Sequence, residues 1–151
     1  MTAATIAVRL VSAGDIAVLY HIAPEVFDDP IIPSSAEAFL KDPNAFLVVA
    51  VDTAKGDLVI GFASAMAHIH PDKERPELWI NEVGVAPAYH RRGVGKAILK
   101  TLFEEARKAG CALAWVATDD DNKAALALYN AAGGKPPERQ IHIDFDLIKD
   151  A

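Results

Sequence analysis

Four positively charged residues surround two glycines in one short segment of the sequence, HRRGVGKAILK, residues 90–100. They are Arg91, Arg92, Lys96 and Lys100, and no acidic residue lies among them. The whole chain has a formal net charge of −6, so the remaining residues carry −10 once these four positive charges are set aside. Because the two signs of charge are segregated along the sequence, we expect two ligands of opposite sign.

The basic segment lies where a predicted strand passes through a loop into a predicted helix, in VGVAPAYHRRGVGKAIL. The first backbone N–H groups of a helix have no partner within the helix, and the helix dipole adds partial positive charge there. Gly93 and Gly95 have no side chains that would keep a ligand away from these amides. The segment therefore predicts a polyphosphate site, and the alternative is a solvated basic helix cap without a ligand.

Spacing excludes two common phosphate-binding motifs. A P-loop requires four residues between its glycines and a Ser or Thr after the lysine, but here the glycines are two apart and Ala97 follows Lys96. The dinucleotide fingerprint GxGxxG fails because Ile98 occupies its third glycine position. What remains is the pattern [QR]xxGx[GA], with His90 at its first position.

With this pattern the sequence resembles the GNAT superfamily of acetyl-CoA-dependent N-acetyltransferases, from which His90 departs because Gln or Arg is usual there. The resemblance implies that amides of residues 91–96, the glycine turn, hold the pyrophosphate of coenzyme A. It also implies that the preceding strand, NEVGV, holds the pantetheine arm through its backbone. In DNKAALALYNAAGG it implies an Asn near that arm and a Tyr beside the thioester sulfur. The implied cofactor-binding residues are Val83, Gly84, Val85, Arg91, Arg92, Gly93, Val94, Gly95, Lys96, Asn122 and Tyr129.

Glu82 is the candidate general base for acetyl transfer to an amine, because it lies in the strand next to the predicted cofactor site. A carboxylate partly buried among Trp79, Ile80 and Val83 would have a raised pKa, which suits a base. The alternative is a carboxylate that only pairs with a cationic substrate. The resemblance makes Tyr129 the candidate acid, against the alternative of a core aromatic, and a backbone N–H near Val83 to Val85 would stabilise the oxyanion.

Acidic residues recur in segments that border the expected cleft, which predicts a cationic, polyamine-like substrate. The alternative is that these acids only form a solvated surface. The candidate substrate-binding residues are Glu25, Asp28, Asp29, Glu82, Asp119, Asp120, Asp144 and Asp146, with Asp121 beside them.

Three segments carry a narrower resemblance to aminoglycoside 3-N-acetyltransferases of the gentamicin-modifying type: APEVFDDP, HIHPDKERPELWINEVGVAP and IHIDFDL. The resemblance implies transfer of an acetyl group from acetyl-CoA to a primary amine of an aminoglycoside, at the 3-amino group, conferring resistance. Alternatives are another cationic amine, such as a polyamine or a peptide N-terminus, and a non-catalytic acetyl-CoA-binding sensor. Relatives are commonly dimeric, so a homodimer is compatible with the resemblance.

For the remaining residues that could bind a metal or react, we favour structural roles. His68 and His70 would share a strand face and His142 could join them, but without a convincing third ligand we expect no metal site. Cys111 is expected to be a small buried hydrophobe, and Trp79 and Trp115 are expected to pack in or near the core.

Length and composition indicate one domain over residues 1–151, since 151 residues with 52% hydrophobic and 24% charged content are typical of one folded domain. A sequence pI near 5.3 argues against nucleic acid as a partner. No apolar run reaches the roughly 20 residues of a membrane span. The single cysteine and the lack of a signal-peptide pattern predict a cytoplasmic protein.

The elements that must position these residues form an α+β domain, with a mixed, mostly antiparallel sheet of about seven strands flanked by about four helices. TIAVRL, AFLVVAVD, LVIGFASAMAHI, ELWINEVGVAP, CALAWVAT and the alternating QIHIDFDL read as strands. SAGDIAVLYHIA with Ser12 as N-cap, SSAEAFLKD, residues 93–109 and KAALALYNAAGG read as helices. AFLVVAVD and LVIGFASAMAHI are expected to pair as a hairpin, and the later alternation predicts a parallel crossover.

Overall fold

A computed structural model describes residues 5–148, which fall into two compact units that divide between Ala117 and Thr118. The first unit is built on one five-stranded sheet with the strand order β1-β2-β3-β4-β5. The strands are β1 (Ile6–Leu10), β2 (Ala45–Asp52), β3 (Leu58–His68), β4 (Glu77–Val85) and β5 (Leu113–Val116). β1 to β4 pair antiparallel in sequence order and β5 pairs parallel with β4, which confirms the α+β class and the mixed sheet.

The central strands form the hydrophobic core. Val48, Val49, Val59 and Ile60 have no exposed surface, and β-branched residues of this kind favour extended backbone on a buried sheet. β2 and β3 form the predicted hairpin, whose turn ends at Gly56 in the left-handed region, with φ at 64°. The sheet core therefore follows directly from the apolar β-branched runs in the sequence.

The long helix α2 (Val94–Lys108) links β4 to β5 and makes the predicted parallel crossover. Its apolar residues recur on one face, which packs on β1 to β4. The helix stops before Gly110, whose φ of 91° leaves the helical region. Its buried residues are Val94, Gly95, Ile98, Leu99, Leu102 and Ala106.

The other helices lie close to their predicted positions. Residues Ala13–Tyr20 form a 3-10 helix with a kink at Asp15, and the Ser12 side chain makes no capping hydrogen bond. Helix α1 spans Pro33–Lys41 in the first unit and helix α3 spans Lys123–Ala131 in the second. Among the described residues, no helix is long and apolar enough to cross a bilayer.

The predicted count of about seven strands is not confirmed: within residues 5–148 the sheet has five strands. The alternating segment QIHIDFDL forms no strand within residues 5–148, and its apolar side chains are exposed, from 68% at Ile143 to 92% at Leu147. Alternation predicts an extended, two-faced segment, but a strand also needs a hydrogen-bonding partner, which a sequence pattern does not supply. The prediction of one domain over residues 1–151 stays a prediction.

Candidate active site

The glycine turn brings backbone amides and positively charged side chains together at the start of α2. Arg91 and Gly93 both lie in the left-handed region, with φ of 63° and 73°, and α2 begins at the next residue, Val94. Within the described chain, no side chain caps this helix end and no acidic residue occupies its first turn. The side chains of Arg91, Arg92 and Lys96 are exposed around it. Uncapped amides with nearby cations fit the phosphates of coenzyme A.

His90 closes the turn onto the end of β4. Its Nε2 lies 2.8 Å from the carbonyl oxygen of Val85, within hydrogen-bonding distance. The imidazole therefore links the start of the glycine turn to the strand that precedes it. The sequence shows only that His90 departs from the family pattern and does not reveal this contact.

β4 extends beyond its partner β5. The parallel ladder ends at Ile80 and Val116, whereas β4 continues for five more residues to Val85. In the described residues, the β5 side of Asn81 to Val85 has no strand partner. Backbone groups on that side are available to a linear, amide-bearing ligand. The assignment of Val83, Gly84 and Val85 to the pantetheine arm stays a prediction.

A β-bulge at Asn81 determines where Glu82 points. Ser64 pairs with Glu82 but the next residue, Ala65, pairs with Ile80, so Asn81 is the extra residue in β4. A bulge of this kind reverses the alternation of side chains along a strand. Leu78 and Ile80 are buried, and Glu82 is consequently exposed instead of sharing their buried face. The predicted burial of Glu82 among apolar neighbours is therefore wrong.

Glu82 lines an open cleft of about 310 Å³ together with two of the predicted substrate-binding residues, Asp28 and Asp29. The structure thus brings three carboxylates of the first unit to one cavity. Asp28 and Asp29 lie in the loop of residues 24–32, the acidic loop. Glu25 is exposed in the same loop, with a left-handed φ of 65°, but it does not line the cleft. The remaining lining residues are Phe27, Pro30, Ile31, Ile32, Ser35, Ala36 and Phe39.

The acidic loop is held against the sheet by apolar contacts that the sequence analysis missed. The Phe27 ring stacks on Phe62 of β3, with 3.9 Å between centroids, and Val26 is buried. Gly84 allows the Val26 backbone to approach β4, since a Cβ at this glycine would lie 2.5 Å from the Val26 carbonyl oxygen. These contacts fix the loop that carries Asp28 and Asp29.

The second unit contains the other predicted site residues. Asn122 is the N-cap of α3, and its Oδ1 accepts a hydrogen bond of 3.1 Å from the Ala125 amide. Tyr129 is half-buried, and burial raises the pKa of its phenol, which favours the protonated form needed by an acid. Their placement at the cleft stays a prediction, as does that of the exposed acids Asp119, Asp120, Asp121, Asp144 and Asp146.

Several of these polar groups already have partners. Asp120 pairs with Arg139 at 3.6 Å, and Asp144 lies 2.7 Å from His142. In the first unit, His70 lies 3.0 Å from Glu77. Such pairs are consistent with the alternative that part of the acidic set is a solvated surface.

Cys111 is buried, as predicted, and burial raises the pKa of its thiol, which disfavours the reactive thiolate. The rings of Trp79 and Trp115 stack with 6.0 Å between centroids, although Trp115 is 46% exposed on β5. Trp115 therefore lies at the edge of the core.

The chain belongs to the GNAT acetyltransferase family, whose model matches residues 16–133. It is similar to N-alpha-acetyltransferase RimI of Mycobacterium tuberculosis, with 36% identity over 110 residues that cover 72% of this chain and 63% of that protein. The chain therefore matches less than two thirds of that relative's length.

Solved structures of aminoglycoside acetyltransferases share the fold. One, from an uncultured soil metagenomic sample in complex with sisomicin, has a TM-score of 0.78 and 17% identity, covering 95% of this chain and 97% of that chain. Another, AAC(6')-Iy with the bisubstrate analogue CoA-S-monomethyl-acetylneamine, has a TM-score of 0.76 and 17% identity, covering 93% and 98%. The predicted GNAT family is confirmed, and these solved structures share its fold.

Proposed function

We propose that this protein transfers the acetyl group of acetyl-CoA to a primary amine of an aminoglycoside. The observation that carries the proposal is the cleft in which Asp28 and Asp29 meet Glu82 beside the open part of β4. Three carboxylates around one cavity suit a substrate that carries several ammonium groups, because each ammonium can pair with a different carboxylate.

Glu82 is positioned to accept the proton of the reacting amine. The bulge at Asn81 turns it toward the cleft, and Asp28 and Asp29 line the same cavity. In our proposal, these two aspartates hold further ammonium groups of the substrate, while Glu82 takes the proton directly or through a water. Backbone N–H groups near Val83 to Val85 stabilise negative charge on the acetyl oxygen.

Acetyl-CoA supplies the acetyl group as an activated thioester when it is bound. The amides and cations of residues 91–96 hold its phosphates, and the open side of β4 holds its pantetheine arm. We assign Tyr129 as the group that holds a proton for the departing sulfur, supported by the family pattern and by the raised pKa of its half-buried phenol. Asn122 has its side-chain oxygen engaged as a helix cap, so it would serve the arm through its amide nitrogen.

The 3-amino group is our proposed position of acetylation, on the strength of the segments APEVFDDP and IHIDFDL. Mass spectrometry and NMR of the acetylated product would identify the modified nitrogen. Modification at a 6'-amino group would contradict this position while leaving the substrate class intact.

A second candidate substrate is a peptide N-terminus, favoured by the 36% identity to RimI. Thiol release from acetyl-CoA should be measured with gentamicin, sisomicin, spermidine and a short peptide with a free N-terminus. We expect the highest kcat/KM with the aminoglycosides. A higher kcat/KM for the peptide would replace our proposal with the second candidate, and acetyl-CoA binding without turnover on any amine would favour a sensor.

A further inference from the structure

Asp52 is a buried carboxylate at the end of β2, only 5% exposed, with three hydrogen-bond donors around it. Its oxygens accept hydrogen bonds from Tyr89 Oη at 2.5 Å, Thr5 Oγ1 at 2.8 Å and the Ala54 amide at 3.1 Å. These bonds, the one from Tyr89 first, hold the pKa of Asp52 below its ordinary value. The group is therefore a fully engaged anion, and its strongest contact leads to Tyr89.

Tyr89 connects this carboxylate to the glycine turn. The residue is 6% exposed and lies two positions before Arg91, in the short 3-10 turn Pro87–Tyr89 that leads from β4 to the glycine turn. The Arg92 guanidinium carbon lies 5.2 Å from the centroid of the phenol ring, within the range of cation–π attraction. The Lys55 ammonium nitrogen lies 5.7 Å from the same ring centroid. One chain of contacts thus runs from β2 through the phenol to Arg92.

We propose that Asp52 and Tyr89 are positioning residues for the phosphates of acetyl-CoA. The carboxylate fixes the phenol, and the phenol holds the Arg92 guanidinium and the start of the glycine turn in the arrangement that receives the anion. This inference rests on the proposed assignment of residues 91–96 as the cofactor phosphate site.

Positioning matters here because the turn has little regular structure of its own. Arg91 and Gly93 adopt left-handed conformations outside any helical ladder, and ordering such residues during binding would cost about 1–2 kcal/mol each. If a buried contact already holds the turn in place, this entropy cost does not arise when the ligand binds.

The first test uses Tyr89→Phe, which removes the hydroxyl and keeps the ring, together with Asp52→Asn. We expect the KM for acetyl-CoA and the Kd for CoA measured by calorimetry to rise about tenfold, as for the loss of a hydrogen bond to a charged group. kcat at saturating acetyl-CoA and the KM for the amine should change less than about twofold, because the cleft carboxylates are untouched.

Thr5→Val is the matched control, because it removes a hydrogen bond to Oδ1 of the same carboxylate, whereas Tyr89 bonds Oδ2. We expect it to lower the melting temperature while the KM for acetyl-CoA stays unchanged. If Tyr89→Phe and Asp52→Asn behave like Thr5→Val, with lower stability and unchanged KM, the pair only holds the fold together and the inference is overturned.

Arg92→Ala separates this inference from the proposed function. If Tyr89 acts through Arg92, Tyr89→Phe should raise the Kd for CoA much less in the Arg92→Ala background than in the wild type. Equal effects in both backgrounds would overturn the link through Arg92. If Arg92→Ala and Lys96→Ala both leave the Kd for CoA unchanged, the phosphate site itself is wrongly assigned, which contradicts the proposed function as well.

Discussion

At the scale of single residues, the position of Glu82 depends on its neighbour in the chain. Asn81 is the extra residue of a bulge, and the resulting change in alternation turns Glu82 out of the core and into the cleft with Asp28 and Asp29. The residue types needed for acetyl transfer are visible in the sequence. Their orientation is not, because a bulge is a property of how two strands pair.

Glu82→Gln should lower kcat about 100-fold, the usual contribution of a positioned general base, because the amide cannot accept the amine proton. The KM for acetyl-CoA should stay within about twofold. Steady-state kinetics at saturating acetyl-CoA measures both quantities. Asp28→Asn is the comparison variant and should mainly raise the KM for the amine. An unchanged kcat in Glu82→Gln would remove Glu82 from the mechanism.

The buried contact between Asp52 and Tyr89 predicts a pH dependence of stability. The pKa of Asp52 is lowered from 3.8 in the folded protein. Its stabilising contribution is therefore present above the unfolded pKa and is lost as pH falls through the folded pKa. Calorimetry should show Asp52→Asn melting below the wild type at neutral pH, with the difference shrinking below about pH 4. A difference that stays constant down to about pH 2 would contradict this role.

This contact could not be found from the sequence, because its two residues are 37 positions apart. The available signal was a lone acid at the end of the apolar run AFLVVAVD, followed by a tyrosine just before the glycine turn. Pairing the two requires knowledge of the strand order, which brings the end of β2 near the start of α2.

At the scale of elements, the acidic loop packs closely against β4 at Gly84. A Cβ there would lie 2.5 Å from the Val26 carbonyl oxygen and 2.9 Å from Phe62 Cε1. Gly84→Ala should therefore lower the free energy of unfolding by about 1–3 kcal/mol, as overpacking does. It should also raise the KM for the amine, since the displaced loop carries Asp28 and Asp29.

Gly14→Ala is the matched control for this prediction, because a Cβ at Gly14 meets nothing within 4 Å. Chemical denaturation and amine KM values for both variants give the comparison. Equal effects of the two substitutions would show that the approach of the Val26 backbone to β4 does not constrain the loop.

The predicted elements were confirmed where periodicity and packing agree. α2 was predicted over residues 93–109 and spans Val94–Lys108, because its apolar stripe matches the sheet face beneath it. QIHIDFDL has an equally regular period of two, yet it forms no strand within residues 5–148. A helix satisfies its own backbone hydrogen bonds, whereas a strand depends on a neighbour that the local sequence does not specify.

At the scale of the whole molecule, charge is divided between a basic turn and an acidic cleft within a chain of net charge −6. Raising salt from about 50 to about 500 mM should increase the KM for a polycationic amine and the KM for acetyl-CoA several-fold each, since screening weakens both attractions. Kinetics at several ionic strengths would measure both dependences.

The variants of the two regions should separate the two salt effects. Asp28→Asn should flatten the salt dependence of the amine KM only, and Arg92→Ala that of the acetyl-CoA KM only. If either substitution changed both dependences equally, the charges would act as one diffuse field instead of two sites.

Because the β4–β5 ladder ends early, the unpaired part of β4 has a fixed length that a bound ligand must match. From Glu82 to Val85 the extended chain covers about 10 Å, at about 3.3 Å per residue. This part of β4 lies in the chain between the acid in the cleft and the turn that we propose receives the phosphates. A carrier with a truncated linker would still anchor its phosphates, but its acyl carbon would stop short of Glu82, so it should bind as an inhibitor and donate no acetyl group.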